Sequence, residues 1–219
     1  MEAMRESGRG RTRNRPAARL WAAGAALAAV LAVGGCGLFT PAEPEPPGGG
    51  GGGIRLPNLT EPDSALYSLE TGIEKQSPDL YRHAIAETTV VTDADFHAVF
   101  DPQDTLDYQI STGTRPPEDW TSRDEMSFFP YFASLQPVNY DAYFTEDPAR
   151  PDQRGPNTTI LYRRYRIWAG GQPLAVGLAD MTFRRVGVNL EWKLVYWVDR
   201  RDTSATVIRS YGRRRLDSL

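Results

Sequence analysis

The chain has 219 residues, of which 40% are apolar, 24% charged and 11% aromatic, with a formal net charge of −3. Such a composition excludes a disordered chain and supplies enough apolar mass for one domain with a filled core. The single cysteine excludes an internal disulfide. Only Lys75 and Lys193 are lysines among 25 basic residues, so an arginine here says little about a site that needs a guanidinium fork.

Arg5, Arg9, Arg11, Arg13, Arg15 and Arg19 form a basic start, followed by the uncharged run Leu20–Val33. That run of 14 residues falls short of the about 20 that span a bilayer as a helix. A basic start, a short apolar middle and small residues before a break describe a secretory signal over residues 1–35. Val33-Gly34-Gly35-Cys36 resembles the lipobox of bacterial lipoproteins. The resemblance implies that Cys36 is diacylated on sulfur and becomes the new N-terminus, anchoring the protein in the cell envelope. Gly37 in place of aspartate after the cysteine favours the outer membrane. Cleavage there would leave 19 of the 25 basic and 26 of the 28 acidic residues, a balance of −7. An acidic body of that kind repels phosphate backbones, so no nucleic-acid partner is expected.

Residues 36–57 read as a tether. Thr40–Pro47 is proline-rich, an extended spacer of about 3.1 Å per residue, and six glycines, Gly48–Gly53, follow as flexible coil. The glycine run lacks the Lys-Ser/Thr of a phosphate loop.

The remaining residues, 58–219, read as one folded domain. "LTEPDSALYSLETGIEK" opens with Thr60 and Asp63 at capping spacing and Pro62 in the first turn, and Leu66, Leu69 and Ile73 recur at helical spacing. "SPDLYRHAIAETT" repeats the start signal with Ser77 as cap. "DADFHAVFDPQD" reads as a strand ending in the Asp101-Pro102 turn, followed by a polar loop through Pro116 and Pro117. "TSRDEMSFFPYFA" predicts a third helix, capped by Ser122 and kinked or ended by Pro130. From there the period changes to two. "VNYDAYF", "TTILYRRYRIW", "PLAVGLADMTFRR" and "NLEWKLVYWVD" predict antiparallel strands, with Trp192, Leu194, Tyr196 and Val198 sharing one face of the last. "SATVIRSYGRRRL" ends the chain as a short helix or a frayed tail.

Helices first and a meander of strands after predict an α+β fold, N-terminal helices packed on a curved antiparallel sheet. The hairpin "ALYSLETGIEKQSPDLYRHAI", the segment "ADFHAVFDP" and the pair "VGLADMTF" and "EWKLVYWVDR" resemble the nuclear transport factor two-like, or SnoaL-like, superfamily and its cystatin-like cone. Enzymes of that superfamily include ketosteroid isomerase, whose general base is an aspartate before a proline at the end of the first strand. The resemblance places Asp101 there and Asp180 near the second, proton-donating acid, and His97 would share a strand face with Asp101. Three departures count against the transfer. Leu69 stands nearest the isomerase's helix-borne tyrosine, and Asp180 falls one residue short of the spacing that would turn it inward unless a bulge intervenes. Asp-Pro also ends strands for purely local reasons.

His83 and His97 lack metal-ligand spacing, so neither a metal nor a cofactor is expected. "RRYR" (163–166) and "RRR" (213–215) read as solvated charge runs, and "DWTSRDE" and "YWVDRRD" as Arg–Asp pairs bracing a sheet rim. The favoured function is a non-enzymatic envelope lipoprotein, held to the membrane through Cys36 and using the cavity of the cone or the sheet face to bind a small apolar ligand, an envelope protein or a second copy. The alternative is a periplasmic isomerase or hydratase with Asp101 as general base.

Overall fold

A computed structural model describes residues 55–91, 94–136, 139–204 and 209–219, which belong to one compact unit, Gly53–Leu219. The expectations for the signal, Cys36 and nearly all of the tether lie outside the described residues. Among the described residues there are five helices and seven strands: α1 (Pro62–Glu74), α2 (Pro78–Ala84), β1 (His97–Val99), α3 (Pro102–Thr112), β2 (Trp120–Thr121), α4 (Ser122–Ser134), β3 (Tyr140–Glu146), β4 (Gln153–Arg154), β5 (Thr158–Ala169), β6 (Gln172–Val186), β7 (Glu191–Arg201) and α5 (Tyr211–Asp217). None of the described helices is long and apolar enough to cross a membrane.

The strands form one sheet in the order β2-β1-β7-β6-β5-β3, with β4 pairing at β5. The α+β arrangement expected from the sequence is the one present, helices packed on one face of a curved sheet. Among the described strands every pairing is antiparallel except β1 with β7, which run parallel, and the isolated bridge Ile85–Leu194 is parallel too, so the sheet is mixed. Long strands β5 and β6 alternate strictly enough to bury Leu161, Tyr165, Ala179, Met181 and Phe183 on the inner face. Helices α1 and α4 answer with Leu66, Leu69, Ile73, Phe128, Phe129 and Phe132, spaced at three and four residues.

Local chemistry explains most of the boundaries and corrects several expectations. The N-cap of α1 is Glu61, not Thr60, and Asp63 instead pairs with Arg154. Ser77 caps α2 as expected, its Oγ accepting from Leu80 N. The stretch expected as a polar loop after Asp101 is helix α3. Asp101 Oδ1 accepts from Gln103 N at 2.8 Å, Pro102 opens the helix and Gly113 closes it at φ 72°. Its apolar stripe is thin, with only Asp104 and Tyr108 buried, which hides the helix from a periodicity search. Helix α4 is capped by Thr121 rather than Ser122, with Asp124 accepting from both Thr121 N and Oγ1. It runs through Pro130 without ending.

The decisive irregularity lies in β7. Phe183 pairs with Leu194 and Thr182 with Tyr196, leaving Val195 as an extra residue in a β-bulge. Before the bulge Trp192 and Leu194 face inward, and after it Trp197 and Asp199 do. The expected single face from Trp192 to Val198 is therefore broken: Tyr196 and Val198 turn to the outer side.

Deleting Val195 would leave Leu194 and Trp197 two residues apart, so plain alternation would itself keep Trp197 and Asp199 inward. The expected result is that cooperative thermal unfolding and the near-ultraviolet circular dichroism are retained, and loss of both would contradict the assignment of Val195 as the extra residue. Val195→Ala, which keeps the bulge and trims a half-buried side chain, should cost about 1 kcal/mol by the same measurement.

Candidate functional site

The chemistry-bearing side chains gather between the inner sheet face and the helices, around two carboxylates. Glu125 lies on α4 in register with Phe128, Phe129 and Phe132, so helix geometry turns it into the core with them. It is 0% exposed, as is Arg215 on α5. Arg215 donates Nε to Glu125 Oε2 at 2.7 Å and Nη2 to Oε1 at 2.9 Å, a bidentate pair. Trp120 Nε1 donates to Oε2 at 2.7 Å, and the Tyr81 hydroxyl donates to Oε1. Four donors thus converge on one carboxylate.

The guanidinium is also held by its faces. Arg215 Cζ lies 4.6 Å from the ring centre of Trp197 and 4.7 Å from that of Tyr211. Burial opposes the Arg215 charge, but Glu125 beside it holds the guanidinium protonated beyond its ordinary range. Burial, then the nearby Glu125 charge, pushes the Tyr81 and Tyr211 hydroxyls well above the ordinary phenol value. Arg215 Nη1 and Trp197 Nε1 are buried without a hydrogen-bond partner among the described residues.

The second carboxylate is Asp199, brought inward by the bulge. Tyr165 Oη donates to Oδ1 at 2.6 Å, and Gly212 N donates to Oδ2. Tyr165 Oη in turn accepts from Tyr211 N at 2.8 Å. Two glycines permit this closeness: a Cβ on Gly177 would strike the Tyr165 hydroxyl, and one on Gly212 would strike Asp199 Oδ2. Burial raises the Asp199 pKa to about 6, and the Tyr165 hydrogen bond and the Arg215 charge restrain it from going higher. Both carboxylates therefore end on α5: Glu125 on Arg215, Asp199 on the backbone at Gly212.

At the rim, Ser210 caps α5 by accepting from Arg213 N at 2.9 Å and donates its hydroxyl to the buried Asp104. Asp104 also accepts from Arg201 Nε at 2.6 Å. The helix fills the interior and is locked at its start.

The residues singled out in the sequence lie elsewhere. Asp101 is occupied in its own turn, with Oδ1 on Gln103 N and Oδ2 on Arg201 N at 3.1 Å. Asp180 faces outward, as its short spacing to Phe183 implied, and pairs with Arg150 and Arg200, each at 2.5 Å. His97 meets Asp119 at 2.7 Å on the surface. The three do not converge on the interior. Among the described residues there is no group of three or more His, Cys, Asp and Glu placed to hold a metal ion.

Two expectations about charge runs are corrected. Arg215 and Arg163 are buried rather than solvated, Arg163 on Asp152 at 2.7 Å. "DWTSRDE" and "YWVDRRD" supply Trp120, Glu125, Trp197 and Asp199 to the interior, and do not merely brace a rim. Sequence reasoning missed Glu125 although it carries a legible signal, an acid on the apolar stripe of its own helix. Arg215 carries one too, four residues after Tyr211 and beside Leu216, both buried.

No protein-family model and no curated protein matches the sequence. Solved structures do share its shape. They include an NTF2-like protein of unknown function from Pseudomonas putida, 8% identical with a TM-score of 0.46, covering 65% of this chain and 84% of that one. A cystatin-like protein of unknown function from Nostoc punctiforme is 10% identical with a TM-score of 0.46, covering 70% and 98%. A protein from Kribbella flavida is 13% identical with a TM-score of 0.46, covering 71% and 94%. These are likenesses of fold and carry nothing about chemistry.

Arg215→Met should destabilise the domain by about 3–5 kcal/mol in chemical denaturation, because it strands a buried carboxylate. Adding Glu125→Gln, which keeps an acceptor for Trp120 and Tyr81, should recover a large part of that loss. Asp199 gives the pH signature. Its folded pKa lies above the ordinary carboxylate value, so the folded state gains a proton as pH falls through about 6 while the unfolded chain waits until about 4. Wild-type stability should therefore gain from Asp199 as pH falls across that window, and Asp199→Asn should lack the gain. The stability of Asp199→Asn relative to wild type should be flat at pH 8 and shrink as pH falls from about 6 to about 4.

Proposed function

We propose that the chain is a lipid-anchored protein of the bacterial envelope whose domain acts by binding and not by catalysis. The observation that carries the reading is the filled interior: Tyr211, Arg215 and Leu216 of α5 occupy the space between helices and sheet. An enzyme of the isomerase kind needs a base exposed to a substrate beside a second polar group. Here Glu125 and Asp199 spend their oxygens on the protein's own donors, and Asp101 spends its pair on two backbone amides.

The outer sheet face supports a binding role. Val99 and Tyr196 are exposed there beside half-buried Val198 and Tyr162, and Asp180 sits between Arg150 and Arg200. A face with apolar and aromatic anchors and both signs of charge suits a second copy of the same chain. The anchor itself rests on the basic start, the short apolar run and Val33-Gly34-Gly35-Cys36 before a spacer.

The test is mass spectrometry of the protein isolated from bacterial membranes. An N-terminus at diacylglyceryl-modified Cys36 is expected, and retention of residues 1–35 would overturn the anchor. Native mass spectrometry of the same material should show dimers that Tyr196→Asp converts to monomers. Monomers in both would remove the second copy.

A further inference from the structure

The hairpin between β6 and β7 breaks its local rules. Gly187, Val188, Asn189 and Leu190 form the turn, closed by Leu190 N donating to Gly187 O at 3.2 Å. Turn positions favour glycine, asparagine and aspartate, yet Val188 is 100% exposed and Leu190 is 59% exposed. Leu190 also sits at φ 52°, the left-handed region that a leucine adopts only at a cost. An asparagine there would relieve the backbone and suit water better. Broken local preferences of this kind collect where a surface has work to do.

The turn is not alone at its end of the domain. Gly187 packs beside Val91, and Val91, Ala86 and Val186 form a small buried cluster under the tip. The neighbouring Val90 is 67% exposed. Val90 in turn lines a cleft of about 320 Å³ together with Leu56, which is 45% exposed, Ile85, His83 and Lys193. Leu56 belongs to the segment by which the described chain enters the domain. Pro57 O meets His83 Nε2 at 2.8 Å, and Leu59 O accepts from Trp192 N at 2.9 Å on β7. The exposed apolar tip and the root of the tether therefore share one end. Arg55 beside Leu56 and Arg184 and Arg185 beside the turn carry the positive charge of that end, while behind them Arg82 pairs with Glu87 and the buried Lys193 pairs with Glu191.

We infer that this end, with Val188 and Leu190 at its point and Val90 and Leu56 beside them, docks on an anionic lipid surface. The inference takes its geometry from the anchor proposed above, since a tether rooted at this end presents it to the bilayer. The cationic flank matches anionic headgroups, while a body at −7 after cleavage at Cys36 is repelled by them and turns away. A patch of four small side chains binds weakly and reversibly. The tether makes weak binding sufficient, because it holds the domain at high effective concentration over the membrane.

The test uses the chain from residue 36 onward with Cys36→Ser, which has no acyl chain, and vesicles of phosphatidylethanolamine and phosphatidylglycerol at 7:3. Co-flotation at millimolar lipid is expected, weaker with pure phosphatidylcholine. Val188→Asp with Leu190→Asn should cut partitioning by roughly tenfold or more while leaving the thermal midpoint equal or higher, since asparagine suits the left-handed position. No flotation with either lipid, or flotation unchanged by the double variant, would overturn the inference. So would a double variant that merely dissociates a dimer and floats as before. The anchor reading stands or falls on the mass of the Cys36 peptide, so its failure is distinguishable from failure of the tip.

Discussion

The ion pair between Glu125 and Arg215 decides what the interior of this domain is. Each side chain is fully buried, and each would be ruinous without the other. Desolvating two charges consumes most of what their attraction returns, so the pair is weak as a source of stability. Its value is specificity of arrangement: only a helix that delivers a guanidinium at position 215 satisfies the carboxylate on α4 together with Trp120 and Tyr81. The C-terminal helix is thereby selected as the piece that fills the fold.

The other contacts follow from seating that helix. Its first turn accepts the buried Asp199 at Gly212 N, its cap Ser210 ties to Asp104, and the Tyr211 ring stacks on Trp197 with centroids 5.2 Å apart. The β-bulge at Val195 is what allows β7 to supply both Trp197 and Asp199 to this place. An interior that resembles a binding cavity in its residues, with two carboxylates among aromatic rings, is occupied by the chain's own end.

How much of this was legible in the sequence depends on how local each signal is. The change from period 3.6 to period 2 marks the passage from helices to sheet, and caps such as Ser77 mark their own helix. Helix α3 is hidden because its stripe is nearly absent, although Asp101-Pro102 is a helix-start signal as well as a turn signal. The short spacing from Asp180 to Phe183 turns Asp180 outward because no extra residue intervenes between them on β6. The interior is legible only in part. Glu125 and Arg215 each fall on the apolar stripe of their own helix, but they are 90 residues apart, so only the fold reveals that they are partners. A single inserted residue, Val195, likewise inverts every later position on β7, and no alternation rule marks it in advance.

The measurement that bears most directly on the filled interior is native-state hydrogen exchange of α5. If the helix belongs to the core, the amides of Tyr211, Gly212 and Arg215 should exchange no faster than those of Met181 and Trp197, and only through global unfolding. Exchange of α5 orders of magnitude faster than that of β6 and β7, under conditions where the sheet stays protected, would show that the helix leaves its seat on its own. The interior would then be an intermittently open cavity, and the account of a domain closed by its own helix α5 would be wrong.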